Sequence, residues 1–151
     1  MTPKRILITT DTFEPSINGV SRSLREIREA LTTIGHTVEL VTPTATVPNF
    51  FYPDLPISLP RPISLLKQIR AFRPDHIHIA TEGPLGVQVR NYCLRNRLRF
   101  TTSFHTLWPA YFQRFLRLPQ RLTWKGLRWF HDPAARIMTR SLSMARKLKR
   151  K

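Results

Sequence analysis

The sequence predicts an α/β fold in which a mostly parallel sheet carries helices on both faces. Short apolar runs rich in Ile, Val, Thr and Phe alternate with longer segments of helical periodicity, and this alternation is typical of βαβ units. Glycine-containing loops stand where strands would pass into helices. The 151 residues, 41% of them hydrophobic, suffice for one domain with a buried core.

The N-terminal residues predict one complete βαβ unit. A strand over 4–10 leads into a polar loop, and a helix over 20–34 follows. Gly35 stands where a helix C-cap is expected, and a strand over 37–41 closes the unit. Apolar residues of the helix recur every three or four positions and predict one buried stripe: Val20, Leu24, Ile27, Leu31 and Ile34.

The segment 43–62 contains six prolines with aromatic residues between them. Proline excludes a regular helix or a central strand, so this segment is predicted to be a long structured loop of the kind that is often functional.

The remaining elements are predicted in alternating order. They are helix 64–72, strand 75–80, helix 85–96, strand 99–104, a basic and aromatic region over 108–130, strand 136–139 and a tail over 141–151. His76 and His78 alternate with isoleucines and are interpreted as structural residues that point away from the apolar face. Cys93, the single cysteine, is interpreted as a core residue. No histidine pair has metal-ligand spacing, so no metal site is predicted.

The charge is concentrated in the second half of the chain. The formal net charge is +16, and residues 83–151 hold sixteen Lys and Arg but only one acid, Asp132. Such a surface attracts polyanions, either nucleic acid or an anionic membrane, unless it is merely solvated. Because no recognised nucleic-acid-binding motif is present, nucleic acid is the less favoured partner. No run is apolar and long enough for a transmembrane helix, and the N-terminus lacks a secretory signal. We therefore expect a cytoplasmic protein, with peripheral attachment to the inner face of the membrane as an option.

Three polar loops, at 11–19, 82–83 and 105–106, follow predicted strands. Ligands of parallel α/β sheets bind at the carboxyl ends of strands, so one shared site is predicted there. A glycine loop that opens a helix suits a phosphate, although many such glycines only make the turn. His105 at a strand end can act as a base or a hydrogen-bond donor, or can be a capping residue.

Six segments resemble the N-terminal, Rossmann-like domain of family 4 glycosyltransferases of the GT-B fold. They are DTFEPSINGV (11–20), GHTV (35–38), RPDHIH (73–78), ATEGPLG (80–86), TSFHT (102–106) and RWFH (128–131). The last three are especially similar to the branch that contains sulfolipid synthases and phosphatidylinositol mannosyltransferases.

The resemblance implies half of a two-domain, retaining enzyme. The N-terminal domain binds mainly the acceptor, a second domain binds most of the nucleotide-sugar donor, and no cofactor besides this co-substrate is needed. His105 is then the catalytic histidine that contacts the sugar, and Gly19 lies near the donor diphosphate. The substrate-binding positions that the resemblance implies are Asn18, Gly19, Glu82, Gly83 and Thr106.

Family members continue beyond the position of Lys151 into the donor-binding domain. We therefore expect residues 1–151 to form an incomplete acceptor-side domain that is inactive alone and that needs a separate donor-binding chain or domain. Met138 to Ser141 also replace a Val-Pro-Thr-type stretch. A truncated product and a degenerate fragment remain alternatives.

A lipid acceptor would place the basic and aromatic region against a membrane. The expected membrane contacts are Arg114, Arg117, Arg121, Lys125 and Arg128, with apolar side chains between them dipping into the interface. A non-catalytic basic module that binds membrane or nucleic acid is the rival function. The sugar, the nucleotide and the acceptor are not specified by the sequence.

Overall fold

The core of the fold is a five-stranded parallel sheet with strand order β2-β1-β5-β6-β7. A computed structural model describes residues 2–12, 19–48, 57–59, 62–105 and 108–149. The strands of this sheet are β1 (Arg5–Thr9), β2 (Thr37–Val41), β5 (His76–Ile79), β6 (Phe100–Phe104) and β7 (Arg136–Thr139). Every pairing is parallel, from Arg5 opposite Thr37 to Phe104 opposite Thr139. The predicted α/β, Rossmann-like sheet is confirmed.

Helices connect the strands and cover both faces of the sheet. They are α1 (Gly19–Thr33), α2 (Pro62–Phe72), α3 (Pro84–Arg95), α4 (Trp108–Leu116), α5 (Gln120–His131) and α6 (Leu142–Lys149). The basic and aromatic region thus forms two helices, and part of the predicted tail is a third. Within the proline-rich segment, β3 (Thr46–Val47) pairs with β4 (Ile57–Ser58) in an antiparallel ribbon outside the main sheet. The parts of this segment at 49–56 and 60–61 lie outside the described residues.

Side-chain alternation along the strands divides the core between the two faces. Leu7, Ile77 and Phe100 pack with α2 and α3, whereas Ile8 packs with Leu24 of α1 on the other face. Cys93 is fully buried in the first cluster, as predicted. Period-two alternation therefore places the isoleucines of β5 against α2 and α3 and its histidines on the face of α1.

Helix α1 ends as predicted but packs less completely than predicted. Gly35 has φ +91°, and the N–H groups of Gly35 and His36 donate to the carbonyls of Thr32 and Leu31, which is a Schellman motif. The prediction of five buried positions on this helix was wrong for two of them, because Ile27 is 42% exposed and Ile34 is 56% exposed. Ile34 lies beyond the last helical residue, so the helical spacing no longer directs it to the core.

The basic and aromatic region splits into a buried and an exposed set. Trp124 and Leu127 are buried with Phe104, and Phe130 is buried in the larger cluster, so these three cannot enter a membrane. Leu122 is 58% exposed and Trp129 is 51% exposed. The five predicted membrane-contact cations are all exposed. The side chains of Phe115 and Leu116 lie outside those that the structure describes.

Candidate functional site

The carboxyl edge of the sheet collects the loops that the sequence singles out. Asp11 follows β1, Glu82 and Gly83 follow β5, His105 follows β6, and Arg140 follows β7. Since all five strands are parallel, their carboxyl ends lie on one edge.

Asp11 forms a clamp between the end of β1 and the start of α3. Its carboxylate accepts hydrogen bonds from the N–H groups of Leu85 at 2.8 Å and Gly86 at 3.2 Å, and from the Thr81 hydroxyl at 2.8 Å. The Ser58 hydroxyl of β4 donates to the same carboxylate. The Asp11 clamp therefore caps α3 with a side chain from another part of the chain, because the N-cap residue itself is a glycine. A protein carboxylate, and not a phosphate, fills this helix N-terminus.

Gly83 makes room for the Asp11 carboxylate, and Gly86 makes room for the carbonyl of Thr81. A Cβ atom at Gly83 would lie 2.4 Å from Cγ of Asp11, and one at Gly86 would lie 2.0 Å from the carbonyl oxygen of Thr81. Both distances are far inside van der Waals contact, so only glycine fits. This packing explains Gly83 on structural grounds, while its role in substrate binding stays a prediction.

Glu82 is held in place from two sides. Its carboxylate accepts hydrogen bonds from Nε1 of Trp108 at 3.2 Å and from Nε2 of His131 at 3.3 Å. Nδ1 of His131 lies 2.8 Å from the Thr102 hydroxyl oxygen. Because a carboxylate only accepts, Nε2 of His131 is the donor to Glu82. This network fixes a negative charge beside the end of β5.

His105 has no hydrogen-bond partner among the residues that the structure describes. Both of its ring nitrogens are buried, and neither makes a hydrogen bond within the part of the chain that the structure describes. Burial lowers its pKa below the ordinary value, the Glu82 carboxylate raises it, and the Arg140 charge lowers it, with a net lowering. At neutral pH the imidazole is therefore uncharged, so it can donate one hydrogen bond and accept another. Such a group suits a sugar hydroxyl.

Gly19, the first residue of α1, lies close to the guanidinium group of Arg140. An added Cβ atom at Gly19 would lie 3.4 Å from Nη1 of Arg140, and Nη2 of Arg140 donates to the Ser23 hydroxyl at 2.8 Å. The first turn of α1 contains no acidic residue. A guanidinium group and the positive end of a helix dipole repel each other, and an anion between them would be attracted by both.

His78 lies among polar side chains on the face of the sheet that α1 covers. Its Nδ1 is 2.8 Å from the Thr101 hydroxyl oxygen, and its Nε2 is 2.9 Å from that of Ser103. Burial lowers the pKa of His78 to about 4, and the charge of a protonated His105 adds to the effect. The prediction that His76 and His78 point away from the apolar face is confirmed, since Ile77 and Ile79 fill that face.

The structure brings His105, Glu82, Gly83 and Gly19 to one edge, as predicted. Asn18 and Thr106 lie outside the described residues. Sequence reasoning missed His131 and Arg140 as members of this edge, although both stand in segments that it quoted. Their contacts cross 49 and 117 positions of the chain, and no local pattern reports such contacts. In the described ranges, no group of three or more His, Cys, Asp and Glu side chains could hold a metal ion.

Comparison with known proteins assigns the chain to a family. The model of Glycosyltransferase Family 4 matches residues 17–151, so the chain belongs to this family. A GDP-mannose-dependent alpha-mannosyltransferase of Corynebacterium glutamicum is 26% identical over 92% of the chain and 38% of the relative. Proteins with the same description from Mycolicibacterium smegmatis and Mycobacterium tuberculosis are 24% and 25% identical over 92% and 91% of the chain, and 42% of each relative is covered. The chain thus spans about two fifths of these relatives. No solved structure gives a significant match.

The partly buried His78 leads us to predict a loss of stability at acidic pH. An unfolded chain protonates this imidazole below its ordinary pKa of 6.5, whereas the folded chain keeps it neutral down to about 4. The stabilising effect is complete above pH 6.5 and is lost as the pH falls towards 4. Lowering the pH from 7 to 5 should reduce the free energy of unfolding by about 2 kcal/mol through His78, and His105 acts in the same direction.

Urea unfolding at pH 7 and pH 5 measures this effect. The His78→Gln variant, whose amide can still bond to the two hydroxyls, should lose most of the pH dependence. The His76→Gln variant, altered at an exposed position on the same strand, should keep it. A His78→Gln variant as sensitive to pH as the wild type would contradict the assignment.

Proposed function

We propose that this chain is the acceptor-side domain of a retaining glycosyltransferase that uses a nucleotide-sugar donor. Membership of Glycosyltransferase Family 4 supports sugar transfer as the reaction class. The relatives described as GDP-mannose-dependent alpha-mannosyltransferases make GDP-mannose the first donor to test. The donor-binding half would come from a further domain or a separate chain.

The unpartnered His105 is the observation that carries this proposal. A buried imidazole with two unsatisfied nitrogens costs free energy unless a ligand satisfies it. Glu82 and Arg140 both act on its pKa, so they lie near it and give the surroundings one charge of each sign. Neutral His105 would orient a sugar hydroxyl by donating or accepting a hydrogen bond, while the fixed Glu82 carboxylate would accept from a second hydroxyl.

The start of α1 would receive the departing diphosphate. In sugar transfer an acceptor hydroxyl forms a bond to the anomeric carbon, the bond from that carbon to the diphosphate breaks, and the hydroxyl proton is released. Negative charge accumulates on the leaving group, and free N–H groups of a helix N-terminus stabilise such charge. Gly19 leaves the backbone of α1 accessible there, and Arg140 adds a positive charge.

Replacement of His105 tests the catalytic part of the proposal. In a protein that carries both halves, His105→Ala should lower kcat at least about 100-fold, because one positioned hydrogen bond or proton-transfer group is lost. The unfolding temperature should stay the same or rise, because a buried group without a partner is removed. The measurement is release of nucleoside diphosphate from GDP-mannose with an acceptor present.

The control is His76→Ala, at an exposed position near the opposite edge of the sheet. The His76→Ala variant should leave kcat unchanged. A second control is the chain of residues 1–151 without a donor-binding half, which should transfer no sugar. A His105→Ala enzyme within threefold of the wild-type kcat would return His105 to a purely structural role.

A lipid acceptor is the second part of the proposal, and the exposed side of α5 supports it. Arg121, Lys125 and Arg128 recur at intervals of four and three residues, and the exposed Leu122 and Trp129 lie among them. Cations attract an anionic leaflet, and exposed apolar side chains can enter the interface. No helix in the described ranges is long and apolar enough to cross a membrane. Attachment would therefore be peripheral.

Vesicle sedimentation tests this attachment. Changing Arg121, Lys125 and Arg128 to Gln should weaken binding to anionic vesicles at least tenfold, since each cation contributes up to about 1 kcal/mol near such a surface. Changing Arg114 and Arg117 as well should weaken it further. Binding should decline with salt, because the Debye length falls from about 10 Å at 0.1 M to about 3 Å at 1 M.

The matched control removes three cations from the exposed side of α1, Arg22, Arg25 and Arg28. This variant has the same net charge as the α5 variant and should bind almost as the wild type does. Equal loss in both variants, equal binding to neutral vesicles, or capture of nucleic acid without any lipid binding would refute the membrane role.

A further inference from the structure

A second concave site lies away from the candidate sugar site, between α2 and α3. It consists of two adjoining cavities of about 450 Å³ and 310 Å³, which share the lining residues Arg70 and Tyr92. The first cavity runs along the facing sides of the two helices. The second lies where both helices end, at the amino edge of the sheet. We call these two cavities together the α2–α3 groove.

Four arginines line the α2–α3 groove, two from the end of α2 and two from the end of α3 and the loop that follows it. Arg70 lies in the last turn of α2, Arg73 follows that helix, Arg95 ends α3, and Arg99 precedes β6. All four are exposed, and none makes an ion pair with a carboxylate among the residues that the structure describes. Asp75 is the one acid in the lining, and its carboxylate already accepts a hydrogen bond from the backbone N–H of Arg5 at 2.8 Å.

We propose that the α2–α3 groove binds a small anion that carries two or more phosphate groups. Guanidinium groups bind phosphate oxygens in pairs, and the amide side chains of Asn91 and Asn96 in the lining can donate further hydrogen bonds. A concave groove of this size fits a compact ligand better than the open face of a membrane or a nucleic-acid duplex. The assignment is independent of the sugar-transfer proposal.

The competing explanation is purely local. Cations near helix C-termini offset the negative end of the helix dipole, and Arg70 and Arg95 occupy such positions. The helix dipole explains why a positive charge is found at each of these two positions. It does not require the cations to line one groove, and lysine would serve as well as arginine. The two explanations predict different effects of mutation on anion binding. If the groove is a ligand site, removing its arginines weakens binding more than removing the same number of cations elsewhere.

Titration calorimetry with tripolyphosphate at about 0.15 M salt tests the proposal. The double variant Arg70→Gln/Arg99→Gln should bind at least tenfold more weakly than the wild type. The control Arg25→Gln/Arg28→Gln removes the same charge from the exposed side of α1 and should bind within twofold of the wild type. The variant Arg70→Lys/Arg99→Lys keeps the charge and should still lose about threefold or more, because paired guanidinium contacts are lost.

Equal weakening in the two Gln variants would overturn the proposal, because it would show only the general attraction of a highly cationic protein. Absence of binding to the wild type would overturn it as well. Should the Arg70→Gln/Arg99→Gln variant unfold, the Lys variant decides, and unchanged affinity there contradicts the site. Vesicles that display a polyphosphorylated inositol headgroup, compared with the soluble headgroup, then show whether the phosphates belong to a lipid or to a free molecule.

Discussion

The carboxylate of Asp11 holds together the edge of the sheet on which the candidate site lies. It joins the end of β1, the β4 strand and the first turn of α3, whose residues are 47 to 75 positions away in the chain. Hydrogen bonds to a charged group contribute about 1.5–3 kcal/mol each, and a buried N–H left without its partner is costly. The Thr81 hydroxyl and the N–H of Gly86 donate to this carboxylate, and Gly83 leaves room for it, so Asp11 ties the loop between β5 and α3 to the end of β1.

The position of the candidate site follows from this constraint. Glu82 lies between Thr81 and Gly83, which both contact Asp11, and its carboxylate accepts hydrogen bonds from His131 and Trp108. The N-terminus of α3 is capped by Asp11, whereas the N-terminus of α1 has the Arg140 side chain beside it. The charges of Glu82 and Arg140 both act on the pKa of His105, whose ring nitrogens make no hydrogen bond within the described residues. The groups at this edge are thus held in place by hydrogen bonds within the protein itself.

Much of the fold was predictable because its signals are local. The alternation in β5, the periodic apolar positions of α1 and the glycine at its C-cap each report on a few neighbouring residues. The exposed Ile27 was not predictable, since periodicity cannot tell how far a helix is covered by its neighbours. The Asp11 clamp and the Glu82–His131 contact were missed for a similar reason. Both join residues that are distant in the chain, and a sequence read alone does not report such pairs.

The central claim is that a protein carboxylate, and not a ligand, caps α3 and orders this edge of the sheet. Amide hydrogen exchange of the wild type and of Asp11→Asn tests it most directly, because the N–H groups of Leu85 and Gly86 donate to that carboxylate. We expect the two amides to exchange at least about tenfold faster in the variant, while the hydrogen-bonded amides of Thr37 and Asp75, at the opposite edge of the sheet, keep their rates within about twofold. Unchanged protection of Leu85 and Gly86 would contradict the account.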